Sequence, residues 1–248
     1  MKTEKTAAAL IIGNELLSGK IQEQNLAFLG KELFKLGIQL RRAVMCLDDV
    51  DTIAEELNAL RGDHDYVFTS GGVGPTHDDM TLTAVAQAFG VPLVRVPAIE
   101  GLIRAHHGDR VTEAHLRMAD APQGSTFIAN EQVRWPTVCI ENVLVFPGVP
   151  EIFRAKFGAV REHLSGGARY YSHAVFTLCD EGAIAVQLAE LEAKHAGLSI
   201  GSYPTFRDPS YRTKVTFDGR DPALLEQAAS EFIAALEPGK LVKQEAGN

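Results

Sequence analysis

The amino-terminal third of the chain alternates between two hydrophobic periods, and few folds accept that alternation. Ala7–Ile12 is a continuous apolar run closed by Gly13, the pattern of a strand buried on both faces. From Asn25, Leu26, Leu29, Leu33 and Leu36 recur at helical spacing until Gly37, a residue tolerant of positive φ, ends the helix. Leu40–Cys46 reads as a second strand. Ile53, Leu57 and Leu60 mark a second helix, and Tyr66–Thr69, rich in β-formers, a third strand. After a glycine-rich loop, Leu82, Val85, Ala86 and Phe89 lie on one face of a third helix. Strand and helix in this order predict a mostly parallel sheet covered by helices on both faces, a three-layer α/β/α sandwich.

Beyond Val91 the signals shorten. Helices are expected near Ile99–His106 and Thr112–Ala119, and strands at Phe127–Ala129, Val138–Ile140 and Val143–Phe146. Pro147-Gly148-Val149-Pro150 is a stiff turn before a helix at Glu151–Leu164. Ser165-Gly166-Gly167 is the best linker. It predicts an α/β domain over residues 1–166 and a small α+β domain over 167–248. The second pattern runs strand (His173–Leu178), helix (Glu181–His195), strands (Leu198–Tyr203 and Thr213–Phe217) and helix (Pro222–Leu236), with a polar, frayed tail from Lys240.

Composition narrows the function. Hydrophobic residues are 46% of the 248, enough for a sizeable core, and charged residues 23%. The net charge of −8 argues against coating nucleic acid or an anionic membrane, which need clustered Lys and Arg. A small anionic ligand remains open to it, because backbone amides bind phosphate without basic side chains. Cys46, Cys139 and Cys179 are too scattered for a zinc site or a disulfide scaffold, which fits reduced thiols in a cytoplasm. The apolar run at the amino terminus is too short for a signal peptide, and no run reaches the length of a membrane span.

The strongest local signal is Ser70-Gly71-Gly72-Val73-Gly74-Pro75-Thr76-His77-Asp78-Asp79-Met80-Thr81. Three glycines allow close backbone approach to a ligand, and their N–H groups can share one concavity. Thr76 and Thr81 offer hydroxyls. Asp78 and Asp79 precede the next helix, where an aspartate is also a plain helix cap. Two acids beside a phosphate nest repel the phosphate unless a divalent cation bridges them. Gly13-Asn14-Glu15-Leu16-Leu17-Ser18-Gly19 is a second loop after a strand, so both loops belong at the carboxyl end of the sheet, where ligands of such sheets bind. Glu15 suits metal coordination or a hydrogen bond to a hydroxyl or ring nitrogen, but is equally a first-turn acid facing a helix dipole. Asp48 ends the second strand, facing the site or a solvated turn. Two better-known phosphate motifs fail: Ile21 stands where a P-loop needs Ser or Thr, and His77 where a dinucleotide fingerprint needs its third glycine. His106, His107 and His115 lack metal spacing, and Trp135 reads as a packing residue.

Ile12–Gly19, Asn25, Gly71–Thr81, Pro147-Gly148-Val149-Pro150 and Gly201-Ser202-Tyr203-Pro204 together resemble the molybdopterin-binding-domain family, and within it the CinA-type (competence/damage-inducible) branch. The resemblance covers nearly the whole chain. It implies the three-layer fold, with the small domain similar to the KH-like module of that branch. That part carries 8 basic and 11 acidic residues from Ala168 on and lacks a Gly-x-x-Gly loop, which speaks against RNA. The resemblance places catalysis and metal binding on Asp48 and Asp79, and Glu15 joins them as a catalytic candidate from its place in the second loop. It places ligand contacts on Gly13, Asn14, Ser18, Asn25, Gly71, Gly72, Gly74, Pro75, Thr76, Asp78, Thr81, Pro147 and Gly148. It implies a divalent cation (magnesium, manganese or cobalt), a phosphorylated pterin or nucleotide (molybdopterin among them), and assembly as a homodimer or homotrimer. Relatives with a carboxyl-terminal amidohydrolase domain are longer, and that activity is not expected of these residues. Asp78 departs from the adenylyltransferases of the family, which carry a basic residue there. The departure favours metal-dependent cleavage of a pyrophosphate such as ADP-ribose or FAD over pterin adenylylation. The alternative is a module that binds the ligand without altering it.

Overall fold

The computed structural model describes residues 5–247. They divide into two compact units, one comprising the chain up to Phe34 with Ile38–Gly167, the other Lys35–Gly37 with the chain from Ala168.

The larger unit runs β1 (Lys5–Ile12), α1 (Asn14–Leu17, one turn), α2 (Asn25–Lys35), β2 (Ile38–Cys46), α3 (Val50–Arg61), β3 (Tyr66–Ser70) and α4 (Thr81–Phe89). Then follow β4 (Leu93–Arg95), α5 (Pro97–His107), α6 (Glu113–Arg117), β5 (Asp120–Pro122), β6 (Thr126–Ile128), β7 (Thr137–Ile140), β8 (Val143–Phe146) and α7 (Pro150–Val160). The main sheet has the order β2-β1-β3-β8-β7-β6. β2, β1, β3 and β8 are parallel, and β7 and β6 continue antiparallel. The expected three-layer α/β sandwich with a mostly parallel sheet is therefore the fold of this unit.

Alternation along the strands sorts the core into two layers. On one face Ala8, Leu10, Ile12, Val67, Val143 and Val145 pack with Ile53, Leu57 and Leu60 of α3 and Ala84 and Val85 of α4. On the other, Phe68 and Phe146 meet Phe153 and Phe157 of α7, and Phe28 of α2 closes the cluster edge-on at 5.6 and 6.2 Å. Truncating one such ring to Ala costs about 3–5 kcal/mol. Asn142, in the tight turn between β7 and β8, ties that turn to the end of α3 through Arg61 O and His64 O. The expected helix to Leu164 stops at Val160 and continues as a 3-10 turn over Arg161–His163. The short pair β4–β5 carries too few residues to show alternation and was not expected.

The smaller unit runs β9 (Tyr171–Thr177), α8 (Glu181–Lys194), β10 (Leu198–Pro204), β11 (Thr213–Gly219), α9 (Pro222–Ala235) and β12 (Leu241–Gly247). Its antiparallel sheet has the order β10-β11-β9-β12 and packs Val175, Val215 and Phe217 on Leu188, Leu225 and Phe232 of the helices. Asp180 and Asp221 cap the two helices through side-chain bonds to Gly182 N and to Ala223 N. The frayed tail is corrected here: Leu241–Gly247 pairs along β9. A single polar strand gives no periodic signal, but β9 offers an open edge whose donors and acceptors need partners.

Candidate functional site

The glycine loop leaves β3 as the sequence suggests, but its groups divide sharply by task. Gly71 (φ 112°) and Gly72 (φ 62°) turn the chain where an L-residue is strained. The Gly71 amide is already used, donating to Phe146 O at 3.1 Å. A Cβ on Gly71 would stand 2.1 Å from Ile12 O, so backbone packs on backbone. Thr81, fully buried, donates its hydroxyl to Gly71 O at 2.8 Å, and its amide donates to Gly72 O at 3.0 Å. Thr81 is thus corrected from a ligand donor to a clamp on the loop. The amides of Gly72, Val73 and Gly74 make no hydrogen bond among the described residues, and all three residues line a cavity of about 820 Å³. These are the amides left for a ligand.

Two carboxylates lie over glycines. A Cβ on Gly74 would meet Asp79 Oδ2 at 2.7 Å, and one on Gly13 would meet Glu15 Oε1 at 2.6 Å. Glycine at both positions makes room for an acid, a demand separate from backbone flexibility. Asp79 does not cap α4. Its Oδ2 accepts from Thr76 N at 2.8 Å and Thr76 Oγ1 at 2.5 Å, which folds the loop back on itself. Glu15 and Asp79 both line the cavity. Asp48 is outside its lining, but its Oδ2 accepts from Asn14 N at 2.7 Å and so fixes the residue next to Glu15. Glu15, Asp48 and Asp79 do not converge as one set: among the described residues no three or more His, Cys, Asp or Glu side chains are placed to hold a metal. The donor set still fits a hard cation such as magnesium, which takes one or two carboxylates and completes its shell with phosphate oxygens and water.

The remaining expected residues separate in the same way. Gly71, Gly72, Gly74, Asn25, Pro147 and Gly148 line the cavity. Gly13, Asn14, Ser18, Pro75, Thr76 and Asp78 do not. Ser18 Oγ donates to Glu15 O at 3.2 Å, and Pro75 O accepts from Arg117 at 3.2 Å, so both serve loop structure. Asp78 is exposed beside His77. Thr76 and Asp79 border a smaller depression of about 140 Å³ on the α4 side. Asn25 is 3% exposed and joins the walls, donating from Nδ2 to Ser70 Oγ at 2.9 Å and Gly148 O at 2.8 Å. Its Oδ1 has no partner among the described residues. Gly148, Pro150 and Ile152 put the start of α7 on the cavity, whose dipole favours negative charge there.

Sequence reasoning missed the other end of the cavity. Trp135, which reads as a packing residue, lines it, as do His106 and His107 of α5, whose spacing carries no metal signal. His107 stacks on His115 at 4.0 Å, and burial, followed by its His and Arg neighbours, holds it below the usual imidazole range. Lys156 also lines the cavity, 5% exposed on α7. A signal for it existed: Phe153, Lys156, Phe157 and Val160 follow the i, i+3, i+4, i+7 stripe, so the lysine occupies a core position.

Residues 8–164 match the family model described as "Probable molybdopterin binding domain". The chain belongs to the molybdopterin-binding-domain family, in its CinA type. Residues 169–245 of this CinA-type protein match the model "FAD synthase, middle domain". A "CinA-like protein" of Syntrophus aciditrophicus is 30% identical over 92% of this chain and 58% of its own length. A protein of Archaeoglobus fulgidus is 33% identical over 89% of this chain and 93% of its own. A "Probable FAD synthase" of Caenorhabditis elegans is 32% identical over 94% of this chain, which spans half of that protein. A crystal structure described as the protein CinA, of unknown function, from Thermoplasma acidophilum aligns with TM-score 0.60 and 32% identity, over 64% of this chain and 97% of that one.

Proposed function

We propose that this CinA-type protein binds a nucleotide or pterin bearing a pyrophosphate and hydrolyses the phosphoanhydride with the help of a divalent cation. The observation that carries the reading is the row of unpaired amides at Gly72, Val73 and Gly74 beside the Asp79 carboxylate, in the wall of one cavity. Unpaired backbone donors in a concavity are a phosphate receptacle. An acid in the same wall is repulsive toward phosphate unless a cation stands between them. The FAD synthase names among the relatives support a nucleotide as the ligand class.

The chain's own groups then have distinct tasks. The Gly72–Gly74 amides and the α7 dipole hold phosphate oxygens and offset the charge that develops on them as the bond breaks. Asp79, locked by both Thr76 donors, keeps its Oδ1 free for the cation, with Glu15 facing the same space and Asp48 fixing the Asn14 amide one residue away. When bound, a magnesium, manganese or cobalt ion would neutralise the pyrophosphate and acidify a water molecule. Thr81 and Gly71 hold the loop rigid so that the amides stay aimed.

The test is purified protein with ADP-ribose or FAD and each of the three cations. Turnover that needs the cation and falls at least 100-fold in Asp79→Ala is expected. No turnover, or turnover unchanged in Asp79→Ala, would overturn the reading. Tight ligand binding without turnover would instead favour a carrier that leaves its ligand intact.

A further inference from the structure

Lys156 is a cation without a counter-ion. Its Nζ donates to the backbone carbonyls of Trp135 at 2.8 Å and Pro136 at 2.6 Å, and no carboxylate lies within ion-pair distance of it among the described residues. Removing an ammonium from water costs several kcal/mol, and two neutral carbonyls recover only part of that. A leucine or methionine would suit a core position of α7 better. Lys156 nevertheless reaches the cavity wall, and its ammonium has a third N–H with no acceptor among the described residues.

The surroundings restrict what that N–H meets. Trp135 packs on the cluster of Ile99, Ile103 and Leu116, with Met118 against it, and Trp135, Ile99 and Met118 all line the cavity. Trp135, Ile99 and Met118 give this part of the cavity wall an apolar face, and Met118 also borders the smaller depression beside the glycine loop. A phosphate would need several donors and would face the two carbonyl oxygens that already surround Nζ. A neutral ring oxygen needs one donor and tolerates those neighbours.

We propose that Lys156 is a specificity-determining residue that donates to the ring oxygen of an oxo-substituted heteroaromatic group, of the pterin, flavin or hypoxanthine kind, seated against Trp135. An adenine ring carries no such oxygen and is disfavoured at this position. The proposal shares with the proposed function only the placement of a ligand in this cavity and does not depend on hydrolysis.

Burial pushes the Lys156 ammonium down to about 8, so ring recognition is pH-dependent in a defined direction. The titratable group facing it from β7 is the Cys139 thiol, pushed by burial up to about 11 and neutral throughout the range tested. On α5, His107 also lines the cavity and is held low by burial and then by its His and Arg neighbours. His106 lines the cavity beside it. The ligand meets protonated lysine, so affinity is nearly full below about pH 7, is about halved at pH 8, and falls about fivefold further between pH 8 and pH 9 as the donor is lost.

The experiment measures binding of riboflavin, inosine and adenosine in chelator, where no metal-dependent turnover occurs. Inosine and adenosine differ in the ring oxygen and carry no phosphate. The wild type is expected to bind riboflavin, and to prefer inosine to adenosine about tenfold, with the preference fading from about pH 7 to pH 9. Lys156→Met and Lys156→Gln should remove the preference while circular dichroism stays native. Should both variants unfold, the wild-type pH series alone decides. No riboflavin binding, a preference absent in the wild type or retained in a folded variant, or a pH-independent preference would each overturn the assignment. Failure of ADP-ribose or FAD turnover alongside intact inosine selectivity would reject the proposed hydrolysis and leave this assignment standing.

Discussion

Replacing Gly72 by alanine probes the clamp that aims the loop amides. Two costs are separable. At φ 62° an L-residue sits in the left-handed region, which costs about 1–2 kcal/mol. The new Cβ would also stand 2.5 Å from Thr81 Oγ1, while the Thr81 Cβ lies at 3.5 Å, an ordinary contact. The clash is therefore with one oxygen, which must rotate away and abandon its buried bond to Gly71 O. Leaving that carbonyl unpaired costs about 1–3 kcal/mol. Gly72→Ala should thus destabilise by roughly 2–5 kcal/mol. Thr81→Ala alone loses the same bond, for about 1–3 kcal/mol. In the double variant the bond is lost once and the clash is gone, so its cost should match that of Gly72→Ala. The interaction energy from urea unfolding of all four proteins should then be about 1–3 kcal/mol in the favourable direction. Additivity of the two substitutions within error would show that Gly72 and Thr81 do not meet and would refute the clamp.

Other perturbations test other parts of the molecule. In the smaller unit, Glu231 takes bonds from Lys194, Gln227 and His195, which hold its carboxyl down at about 2 against an ordinary 4.5. A lowered carboxyl stabilises the fold above its unfolded value and loses that stabilisation as pH falls toward its folded value, so Glu231→Gln should flatten the acid limb of stability between pH 4.5 and 2. An acid limb identical to wild type in a pH series of urea melts would remove the role. Asp221→Ala deprives α9 of its cap and should cost about 1 kcal/mol, read as a lower urea midpoint with unchanged slope. Asn142→Ala frees the Arg61 and His64 carbonyls and should cost about 1–3 kcal/mol; a loss below 0.5 kcal/mol in the same melts would argue that water replaces the amide. Cys46 and Cys139, both buried and both pushed up to about 11, should resist thiol reagents until unfolding, whereas half-buried Cys179 reacts in the native protein; equal rates for all three by mass spectrometry would contradict that order.

Much of this was legible because periodicity and burial share one cause. Ala7–Ile12 had to be a strand covered on both faces, and Leu29 and Leu33 had to face a sheet. The glycine loop was legible as a loop, but the tasks of its members were not. Nothing local distinguishes Gly71, whose amide is consumed by Phe146, from Gly74, whose amide is open, because the difference lies in the distant strand β8. Thr81 reads as a donor in sequence and is one, but toward Gly71 O. Trp135 and Lys156 meet across 21 positions, and neither residue alone announces the other. The strand β12 shows the same limit, since an edge strand is specified by the partner it completes.

A chain with a net charge of −8 and carboxylates in its cavity wall must find attraction for an anionic ligand somewhere other than its charge total. Besides the Lys156 ammonium elsewhere in the cavity wall, it has three sources, each local. Open amides concentrate partial positive charge at the glycine loop, the first turn of α7 adds its dipole, and a cation held by Asp79 would convert repulsion into attraction. Long-range steering contributes little, because the whole-protein field opposes approach and is screened within about 8 Å at physiological salt. Binding in this fold should therefore depend on close complementarity more than on charge number. Raising the salt concentration should then leave ligand affinity nearly unchanged or improve it slightly. A steep fall of affinity with salt would show instead that basic side chains outside the cavity carry the binding.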